Sequence, residues 1–149
     1  MTIRPAVPTD AASLVPLLAD LGYPDSLAES VHKRLEVWSA ETRSRVLVAE
    51  RDGVVVGLLA LSAIPFIERD GWWGRVVALV TAESVRGQGV GRELMACAEE
   101  LAREFGCVRM EVTSANRREG AHAFYERIGY VNNADRSGRF LKQLSPSSG

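Results

Sequence analysis

Cysteine is scarce, with two residues in a chain of 149. Cys97 and Cys107 have no CxxC spacing and no paired histidines, so neither a disulfide framework nor a metal site is expected. Both read as small apolar side chains. Histidine is as rare. His32 and His122 fall in separate predicted helices and give no footing for Ser-His-Asp chemistry. No apolar run approaches the ~20 residues that span a bilayer. The opening Met1-Thr2-Ile3-Arg4-Pro5 lacks the apolar stretch of a secretory leader. A cytoplasmic location with no membrane partner is therefore expected. Charge of one sign is lacking too: 18 Lys and Arg stand against 19 Asp and Glu, for a net charge of -1. A nucleic-acid binder working by massed positive charge would be far more basic, so no nucleic-acid partner is expected.

What is present describes an ordinary globule, 46% apolar and 25% charged. A chain of this length buries roughly 70% of the surface it exposes unfolded. No repeat or linker is visible. Residues 1–144 are expected to form one domain, with 145–149 as a flexible tail.

Ile3 to Val7 predicts a short strand. A helix follows with Leu14, Leu17, Leu18 and Leu21 on one face and Pro16 inside it, which implies a late start or a kink. Ser26-x-x-Glu29 has the form of a capping box, opening a second helix with Leu27, Val31, Leu35 and Trp38 at helical spacing. Arg45 to Glu50 and Val54 to Ala63 predict a hairpin turning at Arg51-Asp52-Gly53. Val54 to Leu61 and Val76 to Val80 are apolar on both faces, which suits the centre of a sheet covered on both sides. A helix from about Gly89 to Phe105 carries Val90, Leu94, Cys97, Ala98, Leu101 and Phe105 on one face. A strand at Val108 to Thr113 follows, then a helix from about Arg118 to Ile128, and a last hairpin at Tyr130-Val131 and Arg139 to Leu144. This order predicts an α/β sandwich with a mixed sheet.

The stretch from Leu79 to Arg92 runs from a buried strand through a glycine loop into an amphipathic helix. Free N–H groups at a helix start, approached closely past glycines, make an anion site. Arg86 and Arg92 add charge. A dinucleotide GxGxxG would need glycine where Arg92 stands, and GxxxxGK[ST] is absent. Arg86-x-x-Gly89-x-Gly91 is the pattern that fits.

With that pattern the chain resembles the GNAT N-acetyltransferase superfamily, whose signature is Arg/Gln-x-x-Gly-x-Gly/Ala between a strand and a helix. The resemblance covers nearly the whole chain and includes the closing run Ala121 to Tyr130, similar to the family's second motif. It implies a mostly antiparallel sheet, splayed in the middle and flanked by about four helices. It implies acetyl-CoA as cosubstrate and no metal. Backbone N–H groups of Gly87, Gln88, Gly89, Val90, Gly91 and Arg92, with Arg86, would cradle the pyrophosphate. Leu79, Val80 and Thr81 would bond the pantetheine arm, on an edge opened by a bulge near Val80, and an N–H near Val80 would polarise the thioester carbonyl. Tyr125 matches the family tyrosine proposed to protonate the departing thiolate. Its alternative is packing beside Ala121, Phe124 and Ile128. Arg118 occupies the slot of a customary asparagine and is offered as a phosphate contact or an exposed arginine. Asn116 fits as a helix cap.

An amine must be neutral to attack, and a lysine-like amine with pKa ~10.4 is mostly protonated at neutral pH. The strand Val76 to Val80 holds no acid. Glu68 and Glu111 are the candidate bases, with Asp70 a candidate for acceptor binding or proton relay. Tyr23, Phe66, Trp72 and Trp73 are the aromatic candidates for the acceptor mouth, suited to a cationic or aromatic ligand. Core or dimer packing is the alternative for the tryptophans. The reading is acetyl transfer to a primary amine of a small molecule by direct attack. Acetylation of a protein N-terminus or lysine, or acyl-CoA sensing without catalysis, are the rivals. A homodimer is a family-level expectation.

Overall fold

The computed structural model describes residues 1–113 and 119–145. The chain divides into two compact units, Met1–Val112 and Thr113–Gly149.

The first unit is a five-stranded sheet in the order β1-β2-β3-β4-β5. The strands are β1 (Thr2–Pro5), β2 (Ser44–Arg51), β3 (Val54–Pro65), β4 (Trp72–Thr81) and β5 (Cys107–Val112). The first three pairings are antiparallel and β4 with β5 is parallel. Three helices cover the sheet: α1 (Ala11–Leu21), α2 (Ala28–Ala40) and α3 (Val90–Glu104). Helices α1 and α2 bury Leu14, Leu17, Val31 and Leu35 against Val48, Leu58 and Val80. Val48, Leu58 and Val80 are cross-strand partners, so they share one face. Helix α3 takes the other face. It sits close because two sheet positions lack a side chain. A Cβ on Gly57 would lie 2.9 Å from Leu94 and 3.1 Å from Val90, and one on Gly74 would lie 2.6 Å from the Met110 sulfur and 3.4 Å from Ala102.

Several expectations are corrected. The α2 capping box does not form. Leu27 is the N-cap with no side-chain bond, and Ser26 Oγ donates instead to the Tyr23 carbonyl. Pro16 does not delay α1, which begins at Ala11 with Asp10 as N-cap. Pro16 lies on the exposed side, where the carbonyl that loses its donor can meet water. The buried face of α3 is Val90, Leu94, Met95, Ala98 and Ala102, with Cys97 only half-buried. The strand predicted from Val76 begins earlier, so Trp72 and Trp73 belong to β4.

Arg4 fastens β1. Its guanidinium reaches Asp10 through two bonds of 2.9 Å and Glu50 at 3.0 Å. Asp10 also accepts the Val7 amide at 2.8 Å. The bonds from Arg4, against the opposing effect of burial, hold the Asp10 carboxyl below its ordinary range.

In the second unit, α4 (Glu119–Arg127) ends at Gly129, which has φ 101°. Residues 130–145 contain no strand, so the last predicted hairpin is absent. Asn116 and Arg118 lie outside the described residues, as do residues 146–149 of the tail.

Candidate active site

The site begins with a defect in β4. Ala60 pairs with Ala78 and Leu61 with Val76, so Val77 is an extra residue, a β-bulge. Pairing with β5 stops at the same place, at Val76 with Val112. From Ala78 to Thr81, β4 is paired only with β3 among the described residues.

Which groups face the open edge follows from one bond. The Ala82 amide donates to the Val56 carbonyl at 2.8 Å. Antiparallel pairing alternates, so Val80 and Ala78 also turn their N–H groups to β3, and Leu79 and Thr81 turn theirs outward. The amide of Val80 is therefore committed to the sheet. Its neighbour Leu79 carries the free donor. Such an edge can bond an extended chain as an added strand.

Beyond Thr81 a short 3₁₀ turn, Glu83–Val85, leads into the glycine loop. Gly87 has φ 78° and Gly89 φ 85°, left-handed conformations that glycine adopts without strain. A Cβ at either would meet nothing within 4 Å, so both face open space. Gly89 is the N-cap of α3 and makes no side-chain cap. Among the described residues the amides of Gly87, Gly89, Val90, Gly91 and Arg92 find no backbone acceptor, whereas Gln88 N–H donates to Val85 at 3.2 Å. Five unbonded donors at the start of a 15-residue helix are the physical content of an anion site.

One contact here was not foreseen from sequence. Arg51, at the end of β2, donates to Gln88 Oε1 at 2.6 Å, and Gln88 Nε2 donates to the Ser84 carbonyl at 3.2 Å. The hairpin turn after Arg51 is tight, with Asp52 at φ 51° and Gly53 at φ 76°. That turn carries the guanidinium to the loop. Arg86 and Arg92 are exposed near it.

The other candidates are dispersed. Tyr23 follows α1, whose Leu18 and Leu21 pack on the cluster containing Val80, together with Ala82. This brings Tyr23 to the loop end of the sheet, exposed. Trp72 begins β4, nine residues from Thr81, or roughly 30 Å at ~3.3 Å per residue. Trp72 lies under the Arg43 guanidinium at 4.1 Å. Phe66 lies between Arg69 and Arg109, each 5.1 Å from its ring centre. Glu68, at the hairpin tip, accepts the Ile67 amide at 3.2 Å, and Asp70 is exposed nearby. Trp73 pairs with Arg109, and Glu111 meets the Arg109 guanidinium at 3.4 Å. In the second unit, Tyr125 packs edge-on against Phe124 at 5.2 Å and Tyr130 at 6.1 Å. Burial pushes both thiols upward, Cys97 with help from Glu100 and Glu93, and Cys107 despite the opposing Arg43. Neither is an activated nucleophile.

Comparison with known proteins adds to this geometry. The model of the acetyltransferase (GNAT) family matches residues 14–130. An aminoalkylphosphonate N-acetyltransferase of Salmonella typhimurium is 39% identical over 83 residues, 56% of this chain and 54% of that protein, so the match spans about half of the relative. A GNAT family acetyltransferase of Staphylococcus aureus superposes with a TM-score of 0.79 at 27% identity, over 96% of this chain and 98% of that one. The aminoglycoside N-acetyltransferase AAC(6')-Iy, solved in complex with CoA, has a TM-score of 0.83 over 97% of this chain and 95% of its own, and at 16% identity it supports the fold alone.

Proposed function

The chain belongs to the acetyltransferase (GNAT) family, and from that premise we propose that it moves an acetyl group from acetyl-CoA to the primary amine of a small molecule. The observation that carries this is the pairing of an anion-ready loop with an open strand edge on one continuous stretch, Leu79 to Arg92. A diphosphate joined to a chain of amides needs both at once. The five loop amides suit the diphosphate, and the outward groups of Leu79 and Thr81 suit the pantetheine amides.

Bound there, acetyl-CoA supplies an activated carbonyl. The Leu79 N–H is the donor best set to hold negative charge on the carbonyl oxygen, since it is fixed by the sheet before any ligand arrives. Tyr125 is the candidate proton donor to the departing sulfur. Its part is modest, because a thiol with pKa ~8.5 leaves tolerably unaided and a phenol with pKa ~10 donates slightly uphill. Direct attack needs no enzyme nucleophile, in keeping with the two raised thiols. A small amine as acceptor is supported by the name of the Salmonella relative.

The test is thiol release from acetyl-CoA across a panel of amines and peptides. Turnover with small amines and intersecting initial-rate lines are expected. Turnover with peptides only would refute the acceptor class. Coenzyme A binding without turnover on any acceptor would leave a sensor module.

A further inference from the structure

Val77 belongs to neither packed layer of the sheet. Val76 pairs with Leu61, which lies over Gly74 beside Ala102 of α3, so Val76 faces α3. Ala78 is two residues from Val80 and shares its face, toward α1 and α2. The bulge inserts Val77 between the two, where the alternation of the strand breaks. Val77 is 48% exposed, whereas Val76 and Val80 are 1% and 7% exposed. Its place matters more than its exposure. It stands beside the last β4–β5 pair, Val76 with half-buried Val112, where the open edge of β4 begins.

A thioester carrier lying along that edge has a fixed direction. With its diphosphate at the loop amides and its arm past Thr81 and Leu79, its acyl end points toward Val77. A carbonyl carbon is planar. With its oxygen on the Leu79 N–H, the sulfur and the acyl carbon therefore run opposite ways along the strand. The strip ahead of the acyl carbon is short. Leu79 pairs with Leu59 and Val76 with Leu61, two residues apart on β3, or roughly 7 Å at ~3.3 Å per residue. Strand β5 closes it there. The acetyl methyl takes ~1.5 Å and contact with the closing pair ~3.5–4 Å, which leaves room for about one more carbon.

We infer that, in the acyl transfer proposed above, on which this rests, the strip from Leu79 to the Val76–Val112 pair is the acyl site, with Val77 as its wall, and that the chain transfers propionyl as readily as acetyl groups. The step is the same for either group. The amine nitrogen bonds to the acyl carbon, the carbon–sulfur bond breaks, and the proton lost by the amine is balanced by the one that makes coenzyme A a free thiol. The chemistry of the wall agrees. Val76, Val77 and Val112 offer only apolar surface, so an added methylene gains burial there. A second added methylene meets the closed end of the strip, where overpacking opposes it.

The experiment is kcat/KM for acetyl-, propionyl-, butyryl- and hexanoyl-CoA with one amine acceptor, beside coenzyme A affinity by calorimetry. The wild-type chain is expected to use propionyl-CoA within about threefold of acetyl-CoA, and butyryl-CoA about tenfold less well or worse, the effect of one methylene in an apolar site. Val77→Phe should lower propionyl transfer relative to acetyl by about tenfold, and Val77→Ala should raise butyryl transfer relative to acetyl by a similar factor. Neither should change affinity for coenzyme A, which has no acyl group. A wild type that uses propionyl-CoA less than about a tenth as well as acetyl-CoA, or hexanoyl-CoA as well as propionyl-CoA, would overturn the inference while leaving acetyl transfer intact. So would ratios among the four esters that stay the same in both variants. Coenzyme A binding with no ester used would instead overturn the transfer reading beneath it. The wild-type profile decides the matter even if a variant does not fold.

Discussion

Arg51 Nη1 and Gln88 Oε1 lie 2.6 Å apart, which ties the β2–β3 turn to a glycine loop 37 residues away in sequence. The bond tethers the Gln88 side chain, whose amide nitrogen donates to the Ser84 carbonyl, to the hairpin beside the loop amides. Arg51→Ala is expected to raise KM for acetyl-CoA about fivefold, near the ~1 kcal/mol of a single hydrogen bond, with kcat within about twofold. Arg51→Lys, which can donate to the same oxygen, should lie close to wild type. Steady-state kinetics at saturating amine read both, and an unchanged KM in Arg51→Ala would show the bond to be incidental.

Leu79 and Val80 provide a sharper pair. The Leu79 N–H faces the open edge, so Leu79→Pro removes it without breaking a ladder bond. Turnover should fall about 10²-fold, the effect of losing one oxyanion donor. Val80→Pro breaks the β3–β4 ladder and should lower the unfolding midpoint instead. Thermal denaturation beside kcat separates them. If Leu79→Pro keeps full turnover, the carbonyl is held elsewhere.

Tyr125→Phe keeps the ring that packs against Phe124 and Tyr130. A drop in kcat of up to ~10²-fold, with coenzyme A affinity nearly intact, is expected if the hydroxyl gives its proton to sulfur. Calorimetry and turnover measured together check this. Full activity would assign Tyr125 to packing.

Asp10 predicts a pH dependence of stability. Its carboxyl titrates below its unfolded value of ~3.9, so its contribution is present above that pH and is lost as pH falls through the lower folded value. Asp10→Asn should cost about 1–3 kcal/mol at neutral pH. The gap between variant and wild type should narrow below about pH 4. Urea midpoints at several pH values measure it, and a gap independent of pH would point to packing alone.

Much of the fold was legible because its signals are local. Two-faced apolar runs marked β3 and β4 as central, Gly53 marked the turn, and Gly89 marked the start of α3. What was hidden depends on the register between strands. Nothing in the identity of Val77 marks it as a bulge, yet pairing with β5 ends beside that one extra residue and leaves the Leu79 amide on an open edge. The register row Ser44, Ser62, Arg75 and Glu111 is equally hidden, because its four members come from four strands and meet only in the assembled sheet. The strand predicted from Val76 stops short of Trp72 and Trp73 because Gly74 and Arg75 interrupt the apolar run, although aromatic residues favour strands. Ser26 is not the cap because the helix begins one residue later, with Leu27 in the N-cap position, and the Ser26 hydroxyl donates to the Tyr23 carbonyl.

Amide chemical shifts of the labelled chain, followed during titration with coenzyme A, test the central claim most directly. The account predicts large, saturable shifts for Gly87, Gly89, Val90, Gly91 and Arg92, the amides that have no acceptor of their own. Bound coenzyme A with those five signals unmoved, or no binding at all, would contradict it.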